Sequence, residues 1–393
     1  MTTVVPRTKL SALPLSAQVL VRGLASHASA LVRGGADERR VVAGCLMTLG
    51  ATGSYVGLSQ LGRGLDRLRG ASYRSQRPRA PVFVVAPARS GTTLLYNLLA
   101  ADPQFVGPRL YQVMFASATL LDAFEAIAGR MSESQREAAL ARIHRDLLET
   151  DAIHRTRVHE LEEDGPYFEL RMASPFSLRH FPFDPDLVAH TRLDALAPAK
   201  RQAVMEGYYR MVQLVLDRAE PGQTYLAKAV CSAGRIGALL EHFPDARMIH
   251  IVRHPYSVFA SAMHMHWHMS YVGIDPKRRP PMKDSVFIRS QFENLVYTFK
   301  TLLAWERRLP PEGWLTLRFE QLVADPLATI EQVYAHFGLE RSPAAREAQE
   351  LACAQSKRHR ARVRPPGLEA FGLSRAQIHE ALGEVFEAYE LEP

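Results

Sequence analysis

The amino-acid sequence predicts an α/β fold in three layers, with a central parallel sheet flanked by helices. Short apolar runs rich in β-branched residues alternate with segments of helical periodicity along most of the chain. The runs lack polar alternation, as strands buried on both faces of a parallel sheet do. A short loop and a helix follow most of them, which is the order that right-handed crossovers between parallel strands require.

The first strand is predicted in PVFVVAP (81–87), after a basic, proline-containing linker that begins near residue 72. Further strands are predicted in YLAK (225–228), ARMIHIV (246–252) and WLTLRFE (314–320). Helices are predicted in the segments after these strands: LLYNLLA (94–100), GRIGALLEHF (234–243), YSVFASAMHMHWH (256–268) and LATIEQVYAHFGL (327–339). The middle region, about 110–225, has mostly helical periodicity, as in TLLDAFEAIAGRM, EAALARIHRDLLET and RQAVMEGYYRMVQLVLDRA.

The composition is that of a globular protein with an ample core. Of the 393 residues, 47% are hydrophobic and 23% charged, which excludes a disordered, collagenous or coiled-coil main body. Cys45, Cys231 and Cys353 form no CxxC pair, which excludes a disulfide scaffold and a cysteine zinc site and indicates a reducing compartment. The formal charge of +7 favours an anionic ligand, a nucleic acid or an acidic membrane surface as partner.

We predict no signal peptide in the N-terminal region, since it lacks a clean apolar stretch before a small-residue cleavage site. Val41–Leu61 carries no charge, but glycines and hydroxyl residues dilute its hydrophobicity below that of a typical membrane span. We therefore predict a pair of packing helices there. The alternative is a segment on a bilayer surface, because arginines flank it on both sides.

The segment Ala86–Thr93, APARSGTT, lies between the first strand and its helix, where backbone amides can hold a phosphate. In the loop pattern GxxxxGK[ST], Gly91 and Thr93 occupy the second glycine and the hydroxyl position. Ala86 and Thr92 replace the first glycine and the lysine. The fold is therefore predicted to be P-loop-like, with Arg89 supplying the cation that an ATPase takes from its lysine. Alternatively, the segment is only a helix cap.

The third predicted strand ends in Arg253, where P-loop NTPases usually carry an aspartate for magnesium. A cation at the carboxyl end of a core strand indicates direct anion binding. Ser261 lies about two helical turns further on, so both residues can converge on one phosphate. The alternative for Arg253 is a strand-end ion pair.

Four histidines near this strand are not predicted to act in catalysis or metal binding. His250 lies within the buried strand pattern and is interpreted as a core residue. His264, His266 and His268 alternate along a helix, which is expected to place them on different faces and so argues against a metal site.

Three blocks of this sequence resemble the sulfotransferases that use 3′-phosphoadenosine 5′-phosphosulfate (PAPS), and more closely their bacterial branch. These blocks are PARSGTTLLYNLLAADPQF, LLEHFPDARMIHIVRHPYSVFASAM and LRFEQLVADPLATIEQVYAHFGL, in order over Pro81–Leu339. A weaker similarity continues in LEAFGLSRAQIHEAL. The segment before Ser72 and the middle helices contribute little to this resemblance. We predict an N-terminal helical segment (1–75) that packs on the core or on a membrane surface, and a sulfotransferase α/β domain (76–393) with a helical substrate-side insertion at about 110–225.

The resemblance also implies roles for single residues. The loop that holds the 5′-phosphosulfate of PAPS corresponds to Arg89, Ser90, Gly91, Thr92 and Thr93, and Arg253 and Ser261 would hold the 3′-phosphate. Arg89 stands where family members place a catalytic cation. Lys228 matches a second cationic position that donates to the departing bridging oxygen, with a surface lysine as the alternative.

The general base departs from the family pattern. Val230 stands where animal members carry a histidine, and Gln112, at another common carboxylate position, accepts no proton at neutral pH. The next candidate is the acidic run VHELEEDGPYFEL, where like charges raise carboxyl pKa values. We predict Glu163 or Glu160 as the base, with His159 as a rival; the alternative is a solvated loop or helix cap.

The function that the resemblance implies is sulfuryl transfer from PAPS to a hydroxyl of a small or lipid-like acceptor, with no metal required. The apolar segment PYFELRMASPFSLRHFPF and the charge-free N-terminal stretch favour a hydrophobic acceptor. The basic segment SKRHRARVRPP either closes over the 3′-phosphate or forms a surface loop. No nucleic-acid motif is present. We expect a cytoplasmic protein. Peripheral contact of residues about 1–70 with the inner membrane face is the alternative to a location away from the membrane. The alternatives are a P-loop kinase or NTPase, and a membrane-associated binding protein with an inactive loop.

Overall fold

The computed structural model describes residues 15–33, 36–70, 72–139, 159–181, 184, 186–270, 282–283, 286–358 and 365–393. Five strands form one parallel sheet in the order β2-β3-β1-β4-β5. They are β1 (Val82–Val85), β2 (Phe105–Val106), β3 (Thr224–Lys228), β4 (Arg247–Val252) and β5 (Trp314–Arg318). The three-layer α/β prediction is confirmed. Only β2 was not predicted, because two residues are too few to show a pattern.

Fourteen helices of the described residues carry labels here. They are α1 (Leu15–Arg33), α2 (Ala36–Arg69), α3 (Thr92–Ala100), α4 (Leu110–Phe115), α5 (Ala118–Arg130), α6 (Gly165–Glu169), α7 (Pro198–Asp217), α8 (Ile236–His242), α9 (Pro255–Ser270), α10 (Val286–Arg308), α11 (Phe319–Ala324), α12 (Pro326–Phe337), α13 (Pro343–Arg358) and α14 (Arg375–Ala388). Most of EAALARIHRDLLET and of SKRHRARVRPP lies outside the described residues.

Both faces of the sheet are buried, as the strand pattern predicts. Phe83 and Val85 of β1 pack into one apolar cluster with residues of α7 and α8. Val82 and Val84 point the other way, into a second cluster with residues of α3 and α12. Alternate residues of one strand therefore hold the two outer layers of helices against the sheet.

The register of the sheet brings three strand ends together. Val84 of β1 pairs with Lys228 of β3 on one side and with Ile249 of β4 on the other. The loop after β1, the residues after β3 and Arg253 after β4 therefore emerge at the same edge of the sheet, the position where open α/β sheets bind ligands.

The N-terminal region contains one long helix where a pair of helices was predicted over 41–61. Helix α2 runs from Ala36 to Arg69, and its Val41 and Cys45 belong to one buried apolar cluster with Val258 and Phe259 of α9. Glycines do not interrupt it, because tertiary packing compensates for their low helix propensity. No helix among the residues described is long and apolar enough to span a bilayer.

His250 is a core residue, as predicted, with its ring between those of Trp314 and Tyr389. The prediction that His264, His266 and His268 lie on different faces of the helix is wrong for one pair. The rings of His264 and His268, one helical turn apart, are 4.5 Å apart, while His266 stacks on Phe176.

Candidate active site

The loop between β1 and α3 requires glycine at position 91. Gly91 has φ of +85°, in the left-handed region, and a Cβ there would lie 2.8 Å from the Phe319 ring. Arg89 also has a positive φ, +70°, and such strain in a non-glycine residue is typical of functional loops.

The start of α3 has features of an anion site. Gly91 is the residue at the helix N-cap, and no side chain of the described residues caps it, so the interpretation of this loop as a simple helix cap is not supported. The Ser90 hydroxyl is buried and has no hydrogen-bond partner within the part of the chain described. A buried hydroxyl beside uncapped amides fits a bound oxyanion.

Arg89, Ser261 and Arg253 form one connected group. Arg89 Nε donates to Ser261 Oγ at 3.0 Å, and Arg253 Nη1 donates to the Arg89 carbonyl oxygen. The Arg253 guanidinium lies 4.1 Å from the centre of the Phe319 ring. Burial lowers the pKa of both arginines, and the Arg89 charge lowers that of Arg253 further. Within the described chain Arg253 forms no salt bridge, although the charge of Glu320 acts to raise its pKa.

Lys228, the last residue of β3, is only 4% exposed and is not a surface lysine. Its Nζ lies 3.2 Å from Glu163 Oε1, 3.7 Å from Glu162 Oε1 and 3.5 Å from Thr93 Oγ1. Burial acts to lower the pKa of Lys228, but the two carboxylates outweigh it and raise the pKa overall. A cation is therefore held at the loop beside α3.

The acidic run is part of the protein interior at residues 162–164, which contradicts the solvated-loop alternative. Glu162 and Asp164 are buried. The Asp164 carboxylate accepts hydrogen bonds from Tyr208 OH at 2.8 Å and from Arg235 Nη2 at 3.3 Å. Burial raises the pKa of Asp164 to about 6. Asp164 N also donates to the Lys228 carbonyl at 3.4 Å, which fixes the run beside the end of β3.

The three predicted base candidates occupy different surroundings. Glu163 contacts Lys228, as described above. The carbonyl oxygens of His159 and Glu160 accept hydrogen bonds from Arg109 and from the backbone amide of Leu110, which places that part of the run beside the start of α4. Gln112 is structural, because its Oε1 accepts from the Arg109 amide at 2.8 Å and so caps α4.

Two features of the site were missed in the sequence. His266 is buried, and its ring stacks on Phe176 with centroids 5.1 Å apart. Burial lowers the pKa of His266 to about 4, while the Glu163 charge acts to raise it and the Arg89 charge to lower it. His266 is therefore neutral at neutral pH beside both groups. Only the tertiary fold brings Phe176 to α9, so no local pattern could have revealed this contact.

The second missed feature is an apolar cluster next to Arg89. Its members come from the loop after β1, the residues after β3, α9 and the Pro175–His180 turn: Ala88, Phe176, Val230, Cys231, Met265 and Met269. The cluster lines the same edge of the sheet as Lys228 and the anion loop. The site therefore combines a cationic part with an apolar part.

A model described as the sulfotransferase family matches residues 81–343 of this sequence. The match covers more than half of the chain, and the chain therefore belongs to the sulfotransferase family. This membership agrees with the resemblance drawn from the sequence and argues against the kinase alternative.

Two curated mycobacterial relatives are similar to this chain. Both are named omega-hydroxy-beta-dihydromenaquinone-9 sulfotransferase, one from Mycobacterium bovis and one from Mycobacterium tuberculosis. Each is 29% identical over 261 residues, or 66% of this chain and 63% of the relative. The matched region thus spans less than two thirds of their length.

Two solved structures share the fold over almost the whole chain. One is the sulfotransferase STF9 from Mycobacterium avium, with a TM-score of 0.72, 16% identity, and coverage of 100% of this chain and 98% of that one. The other is the sulfotransferase STF1 from Mycobacterium tuberculosis, with a TM-score of 0.64, 17% identity, and coverage of 97% and 99%. The similarity of these structures extends the P-loop-like sulfotransferase fold to the N-terminal helices.

Proposed function

We propose that this protein transfers a sulfuryl group from PAPS to a hydroxyl group of a lipid-like acceptor. The observation that carries the proposal is the connected group of Arg89, Arg253 and Ser261 beside the glycine loop. It offers cations and hydroxyls directly to anions, where an NTPase would use a lysine and a metal-binding aspartate.

The residues present fit a donor with two separate anionic ends. The buried Ser90 hydroxyl and the uncapped start of α3 suit a 5′-phosphosulfate, and Thr92 and Thr93 follow directly. Arg253, which directly follows β4, and Ser261, in α9, suit a 3′-phosphate. When bound, PAPS supplies an activated sulfuryl group whose bond to phosphate breaks during transfer. Arg89 lies between the two ends and offsets negative charge on both.

Glu163 is the proposed base, with Glu160 and His159 as rivals. Its carboxylate is held by Lys228 at 3.2 Å, on the same edge of the sheet as the anion loop. Lys228 is a buried cation whose hydrogens are shared between the carboxylates and the loop, so it can offset charge on the leaving phosphate. Positioning and electrostatics carry the catalysis in this arrangement.

The donor site is tested by calorimetric titration with 3′-phosphoadenosine 5′-phosphate, the product nucleotide, and separately with ATP and magnesium. We expect the bisphosphate to bind tightly and ATP weakly. Arg253→Ala should weaken bisphosphate binding by about ten- to a hundred-fold, since a charge-assisted hydrogen bond contributes about 1.5–3 kcal/mol. The matched control is Arg307→Ala, an arginine whose side chain is 58% exposed on α10.

Each outcome of this titration separates the candidate functions. Tight ATP binding that Arg253→Ala does not affect would favour the kinase alternative. If neither nucleotide binds, the proposal fails, and a binding protein with an inactive loop replaces it.

The lipid-like acceptor is supported by two observations. Phe176, Val230 and Met265 place an apolar surface directly beside Ala88 and Arg89. In addition, the curated relatives are named for a dihydromenaquinone derivative, which is a lipid. An apolar acceptor would lie against this cluster with its hydroxyl toward Glu163.

Phe176→Ala tests the acceptor surface. For a long-chain alcohol dispersed in detergent, kcat/KM should fall about ten- to a hundred-fold, because the variant loses the buried contact of an aromatic ring. For a short, water-soluble alcohol the same variant should retain its kcat/KM, which serves as the internal control. Sulfation of a soluble sugar by a protein that ignores hydrophobic alcohols would refute the lipid-like acceptor.

A further inference from the structure

The exposed apolar side chains of this protein are concentrated in its first two helices. Among the described residues, thirteen large aliphatic side chains are strongly exposed, and nine of them lie in α1 and α2. These nine are Val21, Leu24, Leu31, Val32, Leu46, Leu58, Leu61, Leu65 and Leu68. Scattered exposed apolar residues are normal, but such a concentration marks an interaction surface.

The second half of α2 arranges four of these residues on one side. Leu58, Leu61, Leu65 and Leu68 follow the helical spacing of three and four residues, and we call them the leucine face. Leu61 is 61% exposed and Leu68 is 85% exposed. The positions of Gly57 and Gly64 lie on the same side of the helix, where an added Cβ would meet no atom within 4 Å. The leucines therefore protrude from a face that the described chain leaves uncovered.

The charges around the leucine face are cationic. Between Val41 and Arg69 the only acidic residue is Asp66, and it is 1% exposed. Its carboxylate points inward and accepts hydrogen bonds from the Ser117 hydroxyl at 3.1 Å and from the Thr119 amide at 2.8 Å.

Arg67 and Arg69 are exposed and flank the leucine face on opposite sides. Arg69 lies 3.7 Å from Asp122, but that carboxylate is also bound by Arg218 at 2.6 Å. An apolar stripe bordered by arginines is the pattern of helices that bind anionic lipid surfaces. A protein with a formal charge of +7 is attracted to such a surface as a whole.

Helix α2 also packs next to the candidate acceptor surface. Its Val41 and Cys45 belong to the same buried apolar cluster as Val258 and Phe259 of α9, the helix that carries Ser261 and His266. It also contacts the Pro175–His180 turn, which carries Phe176. A bilayer bound to the outer side of α2 would therefore be anchored to the same elements that line the site.

We propose that the leucine face of α2 docks this protein on an anionic membrane surface, with its leucines in the apolar layer and Arg67 and Arg69 at the lipid headgroups. The charge pattern commits the surface to anionic lipid rather than to a second copy of the chain, because two such faces would bring like charges together. The docking is independent of catalysis and does not rest on the proposed reaction.

The test is flotation of the full-length protein with vesicles of phosphatidylcholine, with and without phosphatidylglycerol. The protein should float with the anionic vesicles, and less so at high salt, because salt screens the arginines. Leu61→Glu with Leu68→Glu should lower the bound fraction at least ten-fold. The matched control is Leu351→Glu, whose leucine on α13 is 61% exposed, the same as Leu61, and which should bind as the wild type does.

Three results would overturn the proposal. The first is that the wild-type protein does not bind anionic vesicles. The second is that the double variant binds them as well as the wild type does. The third is that Leu351→Glu lowers the bound fraction as much as the double variant does. Light scattering that shows a wild-type dimer and a monomeric double variant, without vesicle binding, would assign the face to a second copy.

Calorimetric binding of the bisphosphate nucleotide should be unchanged in all variants, which confirms their folding and keeps this test separate from that of the donor site.

Discussion

Glu163→Gln is expected to lower kcat for sulfuryl transfer by about 10²–10⁴-fold, the range that removal of a general base typically costs. Glutamine has nearly the same shape but cannot take the acceptor proton at neutral pH. Because Glu163 does not belong to the anion loop, the affinity for the bisphosphate nucleotide should stay within a few-fold of the wild type. Steady-state kinetics with a saturating donor, together with calorimetry, measure both quantities.

Glu160→Gln is the matched control for this prediction. It makes the same chemical change three residues earlier in the chain, where the backbone pairs with the start of α4. We expect a loss of less than ten-fold. A large loss in Glu160→Gln with an active Glu163→Gln would reverse the assignment, and large losses in His159→Gln alone would move the base to the histidine.

His266 has a different role from the base in this arrangement. Its pKa of about 4 leaves the imidazole uncharged in the pH range where the enzyme would be assayed. A neutral ring beside Glu163 and Arg89 can donate or accept a hydrogen bond without adding a charge to the site. We expect the ring, which stacks on Phe176, to offer a polar atom beside the apolar cluster, whose side chains otherwise carry only carbon and sulfur.

The parts of the fold that depend on local sequence could be predicted. The strand at 82–85 is apolar throughout because both of its faces are buried, and this leaves a clear pattern in the sequence. The sequence alone also predicts that three groups lie close together: the loop after this strand, Arg253 after β4, and Ser261 in α9. Carboxyl ends of parallel strands meet at one edge, so topology alone supplies the contact.

The parts that depend on packing between distant segments could not be predicted. The sequence shows an acidic run. It does not show that Glu162 and Glu163 form ion pairs with Lys228. It also gives no sign that Arg235 and Tyr208 hold Asp164, because these partners lie on separate elements. Helix α2 was predicted as two helices for a similar reason. Its glycines weaken the local helical signal, while the contacts that stabilise one helix, such as those with α5, come from distant segments.

Lys228→Met is expected to have two large effects, one on catalysis and one on stability. Loss of a cation that offsets charge in the transition state should lower kcat by about 10²–10³-fold. The same change leaves Glu162 and Glu163 together at a buried position without their cation, and breaking a buried ion pair from one side costs about 3–5 kcal/mol. Urea unfolding and steady-state kinetics should show both losses.

The double variant Lys228→Met with Glu162→Gln separates these two effects. Glu162 is the farther carboxylate from the amine, at 3.7 Å against 3.2 Å for Glu163, so its neutralisation removes the like-charge repulsion and leaves the proposed base in place. Part of the lost free energy of unfolding should return, because one buried carboxylate remains instead of two. The kcat should stay low, since the lysine that offsets charge on the leaving phosphate is still absent. If kcat recovers together with stability, Lys228 acts only as a structural counterion for the acidic run, and the charge on the leaving phosphate must be met by Arg89 alone.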